Sequence, residues 1–127
     1  MDTHPTRRPP ILVVDDDAGI RDLLELLLSG EGYRVLVAGD GAAAFDLATA
    51  EDVDLILLDV VMPLFDAAGF CRAYRATCGT APVVLISAAP PDVVDAAMEA
   101  SGAAAAIRKP FEVDELLGIV ARLAGPP

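Results

Sequence analysis

Five short apolar runs, each followed by a helical pattern, set the strongest constraint on how this chain folds. The runs are ILVV (11–14), YRVLVA (33–38), DLILL (54–58), VVLIS (83–87) and AAAAI (103–107). The third ends in four large apolar residues without polar alternation, which reads as a strand buried on both faces. The fifth is ambiguous by itself and is read as a strand from its place between Gly102 and Pro110. After the first run, Ile20, Leu23, Leu24, Leu27 and Leu28 follow the spacing of an amphipathic helix, with Arg21, Asp22 and Glu25 opposite, and Gly30 and Gly32 end it. The segment 42–50 is helical by propensity. Asp66 is placed to cap a helix carrying Phe70, Ala73, Tyr74 and Thr77 on one face. Pro90 and Pro91 suit the start of a helix through Val94, Ala97 and Met98. A last stripe, Val113, Leu116, Leu117 and Val120, runs up to Gly125. Strands and helices in strict alternation, with strands apolar on both faces, predict an α/β fold: a five-stranded parallel sheet in a doubly wound, three-layer sandwich.

Size and charge narrow the function. With 127 residues the chain makes one domain, and 54% hydrophobic residues supply its core. Twenty acids against nine bases give a formal charge of -11, which repels phosphate backbones and argues against direct nucleic-acid binding. No apolar run approaches the ~18 residues of a membrane span. Residues 1–10 contain Pro5, Pro9 and Pro10 and no apolar stretch, so they read as a flexible tail rather than a signal peptide, with His4 a lone tail residue. Cys71 and Cys78 are seven apart; on one helix they would share a face without bonding, which suits a reduced, cytoplasmic setting.

In an open parallel sheet, ligands bind outside the carboxyl ends of the strands. The first run is followed by Asp15, Asp16 and Asp17, the third by Asp59, the fourth ends in Ser87, and the fifth is followed by Arg108, Lys109 and Pro110. Any one of these acids could merely cap a helix, and Ser87 or Lys109 alone could be a turn hydroxyl or a solvated charge. Together they form a cluster. Two carboxylates ~4 Å apart repel by roughly 4 kcal/mol at an effective dielectric of about 20. One lysine cannot neutralise three acids, whereas a divalent cation can. Oxygen-only ligands suit a hard ion, here Mg²⁺. A cation, an ammonium and a hydroxyl are the parts needed to hold a phosphoryl group.

The motifs VVDDD, LLDVVMP, VVLISA and KPF, in this order, resemble the receiver domain of bacterial two-component response regulators. The resemblance runs from about Ile11 to Leu123 and implies a flavodoxin-like sheet of strand order 2-1-3-4-5, with the domain at 11–124. It implies that Asp59 is the phosphoacceptor and that Asp15, Asp16, Asp59 and the backbone carbonyl of Val61 hold Mg²⁺. It implies that Ser87 and Lys109 contact the phosphoryl group, with Lys109-Pro110 a family position for a cis peptide. Asp17 would only start a helix. The implied donor is a phosphohistidine on a sensor histidine kinase or a histidine phosphotransfer protein. The output partner is an unnamed effector, and the face made by the fourth helix, fifth strand and fifth helix could support a weak homodimer beside the monomer. The chain would be a phosphoacceptor with weak self-catalysed phosphotransfer and dephosphorylation, not an enzyme on a separate substrate.

The chain departs from the family pattern at two places. Ala106 stands where an aromatic is usual three residues before the lysine, so the expected readout runs through the loop after Ser87. Ala67 replaces a usual glycine after Asp66, with Gly69 expected to supply flexibility. Apolar Val61 and Ala89 predict slow loss of phosphate. Two other classes share parts of the pattern. A dehalogenase-type phosphatase needs a second acid at position 61, which is valine. A flavodoxin-like electron carrier needs a Ser/Thr/Gly-rich phosphate loop where this chain has acids. A pseudo-receiver that works without phosphorylation would not need the full set of site residues.

Overall fold

The computed structural model describes residues 9–127; of the expected tail at residues 1–10, residues 1–8, His4 included, lie outside the described residues, while Pro10 is buried and its carbonyl accepts the Asp54 N–H at 2.9 Å, so the ordered chain begins before β1. The chain alternates β1 (Ile11–Val14), α1 (Ala18–Gly30), β2 (Val35–Ala38), α2 (Gly41–Ala50), β3 (Leu55–Asp59), α3 (Ala67–Ala76), β4 (Val83–Ser87), α4 (Pro91–Ser101), β5 (Ala105–Arg108) and α5 (Val113–Ala124). All four strand pairs are parallel, in the order β2-β1-β3-β4-β5. The three central strands β1, β3 and β4 are buried along their whole length.

The period of two along each strand explains the uninterrupted apolar runs, because alternate residues feed two separate cores. Leu12, Val14, Ile56, Leu58, Val83 and Leu85 point to one core with Ala44 and Ala48 of α2 and Phe70, Cys71 and Tyr74 of α3, against which Ala97 and Met98 of α4 pack. Ile11, Val13, Leu55, Leu57, Val84, Ile86 and Ile107 point to the other, with Leu24 and Leu28 of α1 and Leu116 and Val120 of α5. Each fully buried Leu, Ile or Val among them contributes roughly 1.5–3 kcal/mol. Helices therefore cover both faces, as the sequence pattern predicts.

The details differ from expectation at helix faces and ends. Leu23 and Val113, expected on buried stripes, are exposed, because α1 and α5 turn narrower faces to the sheet. Helix α3 buries Ala67, Phe70, Cys71 and Tyr74, while Ala73 and Thr77 are exposed. Cys78 does not share the helix with Cys71, since α3 ends at Ala76; Cys71 is buried and Cys78 exposed with φ 68°. Asp66 occupies the position before α3 without a side-chain capping bond. Asp17 does cap α1, accepting from the Gly19 and Ile20 amides. Ala67 lies inside the start of α3 and Gly69 within the helix, where it leaves room for the Asp66 carboxylate. The left-handed residue of that loop is instead Leu64, at φ 55° and fully exposed. Among the described residues, no helix is long and apolar enough to cross a membrane.

Candidate functional site

The strand order reverses at β1 and β3, since β1 leads to β2 on one side while β3, β4 and β5 extend the other. Such a switch point opens a crevice at the carboxyl ends of the strands. Asp15 follows β1 directly and Asp59 is the last residue of β3. The register pairs Val14 with Leu58, so the two acids emerge at the same level of the sheet. Asp15, Asp16 and Asp59 each offer a carboxylate oxygen within 4.8 Å of the others. Asp15 and Asp59 are buried, at 2% and 5% exposure, and Asp16 is exposed.

The loop after β5 brings Lys109 into this crevice. Its backbone N–H donates to the Ser87 carbonyl at 2.9 Å, and its Nζ lies 2.7 Å from Asp15 Oδ2 and 3.5 Å from Asp59 Oδ2. The Lys109-Pro110 peptide is cis. Burial alone would pull the ammonium pKa down, but the hydrogen bond to Asp15 and the charges of Asp59 and Asp15 outweigh it, and the pKa is raised. Asp59 shows the opposite balance. Burial raises its carboxyl pKa, the Val61 N–H bond opposes this, the Asp15 charge adds to it, Lys109 opposes it and Asp16 adds to it; the net shift is upward. A carboxylate held above its ordinary range by burial and by two like charges is one that lacks positive charge. The donor set fits a hard cation: three carboxylate oxygens and no nitrogen or sulfur, close enough to share one ion.

The remaining residues frame the opening. Val61 donates its N–H to Asp59 Oδ1 at 3.2 Å, and its side chain is 60% exposed. A cavity of about 520 Å³ lies before Asp59 and Lys109, walled by Val61, Ala88, Ala89, Pro90 and Val93. Ser87 ends β4 one residue beyond Ile86, the register partner of Asp59. It is buried, and its Oγ accepts the Ala89 N–H at 2.9 Å. The cavity wall beside it is made by Ala88 and Ala89. Arg108, which adjoins Lys109, is exposed. Ala106 is half-buried and packs on the core under α4 with Ala97, Met98 and Ala103. Arg21, which the helical pattern puts on the polar side of α1, reaches back to donate from Nη1 to the Asp15 carbonyl at 2.7 Å. The only trace of this in the sequence is its place one turn beyond the capping Asp17, which does not distinguish it from any surface arginine.

Comparison with known proteins agrees with this geometry. The family model of the response regulator receiver domain matches residues 11–121. The chain is 42% identical over 116 residues to the DNA-binding response regulator MtrA of Mycobacterium bovis, covering 91% of this chain and 50% of that protein. It is 39% identical over 107 residues to the response regulator MprA of Mycolicibacterium vanbaalenii, covering 84% and 46%. The chain thus spans about half the length of the curated relatives it matches. Among solved structures, chemotaxis protein CheY4 of Vibrio cholerae superposes with a TM-score of 0.83 at 29% identity, over 91% of this chain and 98% of that one. The receiver domain of sensor histidine kinase PA1611 from Pseudomonas aeruginosa, which has a magnesium ion coordinated in its active-site cleft, superposes with a TM-score of 0.83 at 28% identity, over 93% and 98%.

Proposed function

The chain belongs to the response regulator receiver domain family, and from that premise we propose that its signalling role rests on phosphorylation of Asp59. The observation that carries this reading is the convergence of the Asp15, Asp16 and Asp59 carboxylates within 4.8 Å of one another, with Asp15 and Asp59 paired to the Lys109 ammonium. Asp59 is the nucleophile: one carboxylate oxygen attacks the phosphorus of a phosphohistidine, a P–O bond forms, the P–N bond breaks, and the imidazole leaves. Asp15, Asp16, Asp59 and the Val61 carbonyl would hold Mg²⁺, which would supply positive charge to offset that of the phosphoryl oxygens. The magnesium in the PA1611 receiver supports this choice of ion.

Lys109 already bridges Asp15 and Asp59, so a phosphoryl group on Asp59 arrives within reach of an ammonium that stays protonated. Ser87 Oγ accepts from Ala89 and keeps its own proton to donate to a phosphoryl oxygen. The receiver domain covers 11–124 and acts as a phosphoacceptor rather than as an enzyme on a separate substrate. Its partners are a histidine kinase or histidine phosphotransfer protein upstream and an effector downstream. It works in the cytoplasm, as the free thiols Cys71 and Cys78 suit, as a monomer or a weak dimer through α4, β5 and α5.

Mass spectrometry after treatment with acetyl phosphate and Mg²⁺ tests the reading. Wild-type protein gains one phosphoryl group and Asp59→Asn gains none. A wild type that stays unmodified, or an Asp59→Asn variant modified equally, overturns it.

A further inference from the structure

Asp16 is the exposed member of the acidic trio, and among the described residues no hydrogen bond holds its side chain. Its direction is therefore set by the two peptide groups that flank it. The peptide after it is pinned by the Asp17 N–H, which donates to Asp15 Oδ1 at 2.9 Å. The peptide before it is pinned by Arg21, whose Nη1 donates to the Asp15 carbonyl at 2.7 Å. Asp15 itself is held by Lys109 on Oδ2 and by its N–H to the Ala38 carbonyl at 3.1 Å. Arg21 has room for this bond because residue 39 is glycine: a Cβ there would stand 3.0 Å from Nη1 and 3.4 Å from Cζ. The guanidinium serves the main chain rather than the carboxylates, and its charge is not among the influences on Asp59.

We propose that Arg21 is a positioning residue that, through the Asp15 carbonyl and with Gly39 as its socket, aims Asp16 at the cation position between the three acids. This rests on the reading of the trio as a Mg²⁺ site. It also has a sign that separates it from plain electrostatics. Removing a positive charge near an acidic cluster tightens cation binding, whereas releasing the Asp15–Asp16 peptide weakens it. Groups that orient metal ligands from behind typically contribute about 10–100-fold to metal affinity.

The test is Mg²⁺ titration of the full chain by calorimetry, with the Asp16 amide followed by NMR in metal-free protein. Arg21→Gln weakens Mg²⁺ binding by roughly tenfold, and Arg21→Lys, which keeps one donor, recovers part of the loss. Gly39→Ala touches no acid and displaces only the end of a flexible side chain; it weakens binding in the same direction and shifts the Asp16 amide, with the melting temperature nearly unchanged. Arg21→Gln binding Mg²⁺ as tightly as wild type, or more tightly, overturns the role. A wild-type chain that takes up no Mg²⁺ at all overturns the cation site itself and the role with it.

Discussion

Replacing Asp59 by asparagine should stabilise the metal-free protein. Asp59 lies within 4.8 Å of both Asp15 and Asp16, oxygen to oxygen, and 3.5 Å from Lys109. At an effective dielectric of about 20, each repulsion at that distance is roughly 3.5 kcal/mol and the attraction roughly 5 kcal/mol. Asp16 is exposed, so its repulsion is screened to about half of that figure or less. The Coulomb contributions then nearly cancel, and the burial penalty on the carboxylate, the largest influence on its pKa, remains. Asparagine removes that penalty and keeps an oxygen for the Val61 N–H. A gain of about 1–2 kcal/mol is expected, or roughly 3–8 °C in melting temperature for a domain of this size. The assay is urea and thermal unfolding in EDTA. The pH dependence has a definite sign. Because the folded-state pKa of Asp59 is raised, the folded protein keeps a proton that the unfolded chain releases. Wild-type stability therefore falls as pH rises from the unfolded toward the folded pKa. The advantage of Asp59→Asn is full above that range and closes as pH falls through it. Excess Mg²⁺ reverses the order, because the wild type binds it better. An Asp59→Asn protein no more stable than wild type in EDTA near neutral pH would refute the claim that this carboxylate is under-compensated.

Lys109→Met leaves Asp15 buried without its cation, and breaking such a pair costs about 3 kcal/mol or more; urea unfolding in EDTA showing a loss below about 1 kcal/mol would contradict the pairing. Gly79→Ala drives a Cβ into the ring of Tyr74. That ring cannot yield, since its hydroxyl accepts the Ala81 N–H and its face stacks on Phe70, so a loss of about 1–3 kcal/mol is expected far from the site, with phosphorylation by acetyl phosphate retained. The apolar wall of Val61, Ala88, Ala89, Pro90 and Val93 offers no side chain to hold an attacking water, so the acyl phosphate should outlast that of a Val61→Asn variant; a wild-type lifetime of seconds would count against this. Beryllofluoride with Mg²⁺ should shift the Ala89 amide in NMR spectra, because a Ser87 hydroxyl drawn to the phosphoryl analogue loosens its bond to that N–H. Shifts confined to Asp15, Asp16 and Asp59, with 88–92 silent, would remove the loop from the readout.

What the sequence made legible follows from burial. Strands enclosed on both faces must be apolar at every position, so ILVV, LILL and VVLI announce themselves, and an acid directly after such a run is conspicuous. Helix faces are less legible, because a stripe of five leucines and isoleucines on α1 is wider than the surface it covers, and Leu23 spills into solvent. Leu64 was invisible, because nothing about leucine signals a left-handed residue; the missing glycine at Ala67 drew attention to a position that is plain helix. The periodicity places Arg21 only on the polar side of α1; its role is not legible because its bond is to a backbone carbonyl and no residue type marks a carbonyl acceptor.

The same imbalance links stability to signalling. Three carboxylates lie within 4.8 Å of one another and one ammonium pairs with two of them, so the metal-free crevice holds excess negative charge. A phosphoryl group on Asp59 would replace about one negative charge by about two, which deepens the excess unless a cation is present. The fold stays intact because Asp15, the deepest acid, is fully engaged by Lys109, the Asp17 amide and the pinned backbone, while Asp16 faces water. The uncompensated charge is thereby concentrated on Asp59, which lines the cavity and lies 3.5 Å from Lys109 Nζ, farther than Asp15 does. A site built this way gains from each partner that brings positive charge or withdraws electron density, and Asp59 is where that gain is largest.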